Sequence, residues 1–139
     1  MNRLFTIGYG GRSPSELVQM LARSGVKTVV DVRLRPDRAA MGSFAKAKTP
    51  DKGIERLLGD ADISYRSFIE LGNPFLDFDD WQARYARLLS QAGELLLERL
   101  LETPPPFCLL CAEKKVSECH RRHVADYLAQ RGWEATHLE

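Results

Sequence analysis

Cysteine is scarce in this 139-residue chain, with three residues, and the odd count argues against a disulfide framework. Reduced thiols in a cytosol fit that number better, so the expected location is cytoplasmic. No apolar run is long enough to span a bilayer, and the opening residues lack the apolar region of a signal peptide, so no membrane partner is expected. A formal net charge of +1 rules out a general polyanion-binding surface and leaves room only for a local basic cleft. Repeats, low-complexity tracts and interdomain linkers are missing too. What remains is ordinary: 44% hydrophobic and 28% charged residues, in a length that one domain with its own core accommodates.

Leu4 to Ile7 reads as a short strand ending at Gly8-Tyr9-Gly10-Gly11, glycines that allow positive φ and close approach of the backbone to a ligand. Ser13-Pro14-Ser15-Glu16 is a helix start with a capping box, and Gly25 is its stop. Val26 to Val32 is nearly all apolar and predicts a second strand, so strand, helix and strand form a βαβ unit with parallel pairing. Arg33 to Lys52 has no period and several basic residues, and predicts a long, mobile, basic loop. A short helix from Gly53 and an outer strand over Ile63 to Ile69 follow. Asp79 or Asp80 is expected to cap the longest helix, whose apolar stripe runs from Trp81 through Tyr85, Leu89 and Leu95 to Leu100 before Pro104-Pro105-Pro106 stops it. Phe107 to Ala112 is a buried strand, a helix is expected from about Ser117 to Gly132, and Trp133 to Leu138 is an edge strand. The fold class expected is α/β, a single-domain three-layer Rossmann-like sandwich on a mostly parallel sheet of about five strands.

In open sheets of that kind, ligands bind beyond the carboxyl ends of the strands. If the first and fourth strands are neighbours, Gly8-Tyr9-Gly10, Asp31 with Arg33, Cys111 to Glu113, and Cys119-His120 converge. Cys119, His120 and Arg121 would open a helix, where the N-terminal partial charge and adjacent cations favour thiolate and bind anions. Glu113 suits a general acid or base. Asp31 suits a sugar hydroxyl, or an internal salt bridge with Arg33, which in turn suits phosphate. Tyr9 suits ring stacking. Cys108 belongs to the core, because residues three apart on a strand face opposite sides, so Cys108 and Cys111 should not converge on a metal. A smaller metal site from Cys111, Cys119 and His120 is geometrically possible. The reading adopted nonetheless assigns no metal and no cofactor.

At these residues the chain resembles the domain-of-unknown-function 488 family. The resemblance rests on Thr6 to Gly10, Val30-Asp31-Val32-Arg33 with Pro36, Ile63-Ser64-Tyr65, Leu71-Gly72, and Leu109-Leu110-Cys111-Ala112-Glu113 followed by Cys119-His120-Arg121. It implies an α/β fold and a cleft formed by Gly8, Asp31, Arg33, Cys111, Glu113, Cys119, His120 and Arg121. Tyr9-Gly10 and Asn73 depart from the family pattern, which has a histidine, a hydroxyl residue and a second glycine there.

Together these residues point to a small enzyme acting on a phosphorylated or nucleotide-like ligand, nucleic acid included. Cys111, Glu113, Cys119 and His120 would be catalytic, and Gly8, Tyr9, Gly10, Asp31, Arg33 and Arg121 would bind the ligand. The alternatives are a non-catalytic nucleotide or nucleic-acid binding module and a metal- or redox-sensing thiol protein. No protein partner is indicated.

Overall fold

In the computed structural model, which describes residues 2–139, five parallel strands form one sheet in the order β3-β2-β4-β1-β5. The strands are β1 (Arg3–Gly8), β2 (Thr28–Asp31), β3 (Ser64–Ser67), β4 (Phe107–Cys111) and β5 (Glu134–Leu138). The central β4 is buried along its whole length, whereas β3 and β5 are half exposed, as edges must be. Helices α1 (Pro14–Arg23) and α2 (Gly53–Gly59) cover one face through Leu17, Leu21, Ile54 and Leu58. The other face carries α3 (Trp81–Leu96), α4 (Glu98–Leu101) and α5 (Arg121–Ala129), packed through Tyr85, Leu89, Leu100, Val124 and Leu128. The α/β expectation is met. The pleat also separates two cysteines as expected, Cys108 packing on the first face and Cys111 on the second.

Helix α1 has the start read from the sequence: Ser13 accepts from Glu16 N–H, Glu16 returns the bond, and Gly25 follows at φ +74°. Four expectations need correction. The segment after β2 is held rather than loose, because Phe44 is buried, Lys46 N–H bonds the Pro36 carbonyl at 2.7 Å, and Lys46 bridges Gly53. The long helix ends at Leu96 and is followed by α4. Leu95 points outward, 73% exposed, while Gly93 takes the inner face against the Tyr127 ring. Asp80 stands at the start of α3 but its carboxylate pairs with Arg84 at 2.7 Å instead of capping. The last helix begins at Arg121, after a single 3-10 turn over Val116–Glu118.

β1 and β4 are neighbours, with Gly8 opposite Cys111. Connections from β1 run outward past β4 to β2, and the connection from β4 runs back past β1 to β5. This reversal opens a crevice above the carboxyl ends of β1, β4 and β2, where the candidate residues lie.

Candidate functional site

The floor of the crevice is sulfur and imidazole. Cys111 ends β4, while Cys119 and His120 lead into α5, and their ligating atoms lie within 4.8 Å of one another. His120 Nδ1 is 3.8 Å from Cys111 Sγ and 3.9 Å from Cys119 Sγ. Its other nitrogen, Nε2, stands 2.7 Å from the Val32 carbonyl oxygen. A carbonyl only accepts, so Nε2 carries the proton and, in the neutral ring, Nδ1 presents its lone pair to the sulfurs. Tyr85 packs edge-on against this ring at 5.1 Å and donates its hydroxyl to the Leu71 carbonyl at 2.6 Å, so the imidazole is fixed in orientation as well.

Cys119 is not inside the helix. Its backbone is extended, and its sulfur accepts from Arg121 N–H, the first of the helix, at 3.5 Å. Its thiol is held well below the ordinary range, first by the neighbouring Cys111 thiol, with His120 and the Arg121 amide adding to the effect. Cys111 is pushed well above the ordinary range by the Cys119 sulfur beside it and by burial. The helix start is thus not the main influence on Cys119; the partner sulfur is. Glu113 stands above the pair with Oε2 3.3 Å from Cys111 Sγ.

Asp31 and Arg33 form one wall. Arg33 grips the fully buried Asp31 carboxylate with Nε and, at 2.7 Å, with Nη2, while Tyr65 donates its hydroxyl to the same carboxylate. The internal-bridge alternative for Asp31 is thus the one realised. Nη1 of Arg33 reaches the Tyr9 hydroxyl at 3.2 Å, and one N–H on each terminal nitrogen stays free. The Tyr9 ring stacks on Phe44 at 4.7 Å, within the protein, and burial raises its hydroxyl pKa. Tyr9 and Arg33, with Cys111, Glu113 and His120, line a cavity of about 240 Å³, shared with Leu34, Leu76, Trp81, Asn73, Arg35, Arg38 and Glu118. Its walls are mostly apolar, with basic and acidic groups around them, a makeup common in small-molecule sites.

Gly8, Gly10 and Arg121 are occupied elsewhere. A Cβ on Gly8 would run into the Glu113 carbonyl, and one on Gly10 would stand 2.6 Å from the Ala112 carbonyl oxygen. The glycines admit the close approach of the loop after β4. Arg121, fully buried, binds the carbonyls of Glu113 at 2.6 Å and Lys114 at 3.2 Å and the Thr6 hydroxyl at 3.3 Å. It shapes the loop that carries Glu113. Sequence reasoning missed Tyr65, Tyr85, Asn73 and the Val32 carbonyl as parts of this site. Tyr85 read as plain core, and a backbone carbonyl leaves no sequence signal.

Fold and cluster together define a class: a parallel α/β protein with a buried Cys–Cys–His cluster at its strand ends, opening into a partly apolar cleft. A family model described as Domain of unknown function DUF488 matches residues 13–128, most of the chain, and the chain belongs to that family. The match takes in Asp31, Arg33, Cys111, Glu113 and Cys119 to Arg121, while Gly8 to Gly10 precede it. No curated protein and no solved structure matches the chain.

Proposed function

We propose that this protein is a small enzyme acting on a phosphorylated or nucleotide-like ligand in the cleft, with the Cys111–Cys119–His120 cluster as its reactive centre. The observation that carries the reading is the convergence on one cavity of an arginine with unspent donors (Arg33), a buried sulfur and imidazole (Cys111, His120) and a carboxylate (Glu113). Arg33 holds the anion, its guanidinium fixed by Asp31 so that little side-chain freedom is lost on binding. The flat part of the ligand lies against Leu34, Leu76 and Trp81, which gives the apolar wall a use. Cys111 is the sulfur facing the ligand, its one thiol proton passes to Glu113 Oε2, and His120 Nδ1 flanks the sulfur from beneath. Arg121 serves as a positioning residue through the Glu113 and Lys114 carbonyls. The free, buried thiols support a reducing, cytoplasmic location, and among the described residues no helix is long and apolar enough to cross a membrane.

The test is binding, then turnover, of nucleoside 5′-monophosphates and a short single-stranded oligonucleotide. Binding that raises the melting temperature, that Arg33→Ala abolishes, and that is followed by conversion lost in Cys111→Ser supports the enzyme. Salt-sensitive binding with no conversion, indifferent to Cys111→Ser, replaces it with a binding module using the same cleft. No binding of either probe removes the anionic-ligand reading.

A further inference from the structure

We infer that Cys111, Cys119 and His120 form a binding site for a divalent metal of the zinc type, with its fourth coordination position open to the cleft. Thiolate and imidazole are the donors such ions select. Tetrahedral zinc, with sulfur at about 2.3 Å and nitrogen at about 2.0 Å, holds sulfur and nitrogen ligands about 3.5 Å apart. Nδ1 of His120 stands 3.8 Å and 3.9 Å from the two sulfurs, each within a few tenths of an ångström of that separation, and all three ligating atoms lie within 4.8 Å of one another.

The surroundings are those of a prepared ligand set. Metal-bound histidines usually donate their second ring nitrogen to a carbonyl or carboxylate, which fixes the tautomer and orientation. Here Nε2 does so to Val32 at 2.7 Å, and Nδ1 is left to bind. Cys119 Sγ already accepts a backbone N–H from Arg121, a bond that suits a sulfur carrying negative charge. Two thiolates neutralise a divalent ion, so filling the site leaves the buried cluster without net charge, and thiol protons leave to solvent on binding. Cys111 and His120 line the cavity whereas Cys119 lies beneath, so the side without a protein ligand faces the ligand space, with Glu113 beside it. Three protein ligands and an open fourth position are the layout of catalytic rather than structural zinc. With the ion bound, the sulfurs act as ligands and the reacting group occupies the fourth position. In the ion-free protein, Cys111 lines the cleft directly.

The inference does not depend on the ligand class proposed above, and the two fail separately. Reduced, chelator-stripped protein is titrated with cobalt(II) and zinc, and metal content is measured on protein purified without chelator. Expected are one ion per chain, tetrahedral visible bands with sulfur-to-cobalt charge transfer, and zinc protection of Cys111 and Cys119 from alkylation. Cys111→Ser and Cys119→Ser should each weaken zinc binding by more than ~100-fold, beyond the loss that removing an outer hydrogen-bond partner causes. Cys108→Ala, on the opposite face of the sheet, should leave it unchanged. Should either ligand variant fail to fold, the wild-type protection experiment decides alone. Absent uptake at micromolar metal, a cobalt spectrum without sulfur charge transfer, or equal alkylation with and without zinc overturns the site. Zinc binding that survives Arg33→Ala while nucleotide binding is lost would separate ion from ligand.

Discussion

Gly8 and Glu113 meet backbone to backbone: the Glu113 carbonyl lies where a side chain on Gly8 would begin. That carbonyl also receives the Arg121 guanidinium at 2.6 Å, so the end of β1, the loop after β4 and the start of α5 are locked at one point. Gly8→Ala should therefore cost more than about 3 kcal/mol, a value outside the ordinary range for point substitutions. Gly42→Ala, where nothing lies within 4 Å and φ is not positive, should stay within about 0.5 kcal/mol. Urea denaturation of both variants compares them, and a mild Gly8→Ala would mean the loop can move aside.

Arg121→Lys tests the same joint from its other side. A lysine keeps the charge but loses the fork that spans Thr6 and the carbonyls of Glu113 and Lys114. A loss of about 3 kcal/mol or more is expected from the buried carbonyls left unpaired. Calorimetric or denaturant melting reads it. A neutral substitution would return Arg121 to the list of anion-binding candidates.

Asp31 and Arg33 should behave as a coupled pair. Removing one partner strands the other's buried charge, so Asp31→Asn should cost about 3–5 kcal/mol. The double variant Asp31→Asn/Arg33→Met should lose clearly less than the sum of the singles. An additive cycle would show that the contact contributes no coupling.

His137 supplies a pH dependence. Burial, with the Arg121 charge added, lowers its pKa from 6.5, while its Nδ1 lies 2.7 Å from the Thr6 hydroxyl. The unfolded chain thus takes up this proton first, and stability falls as pH drops below about 6.5 through the lowered folded value. His123 is shifted the same way, also first by burial, so His137→Gln should flatten the slope in this window without abolishing it. Melting temperatures of both proteins from neutral to mildly acidic pH decide. An unchanged slope would clear His137 of any part.

Much of this protein follows from local sequence alone. Ser13-Pro14-Ser15-Glu16 can start a helix because its capping bonds close within four residues. The apolar β1, β2 and β4 runs declare buried parallel strands, because both faces of such strands must be covered. The two-residue pleat by itself separates Cys108 from Cys111.

Tertiary structure decided the rest, because those contacts join residues far apart in sequence. Whether Gly8 to Gly10 serve a ligand or a loop depended on β4 lying beside β1. Arg121 was drawn away from the cleft by carbonyls that only the turned-back loop presents. The tautomer of His120 was set by Val32, 88 positions away, and the thiolate preference of Cys119 by a sulfur on another element. Spacing can bring sulfur and imidazole near one another, but only packing aims their lone pairs at a common point.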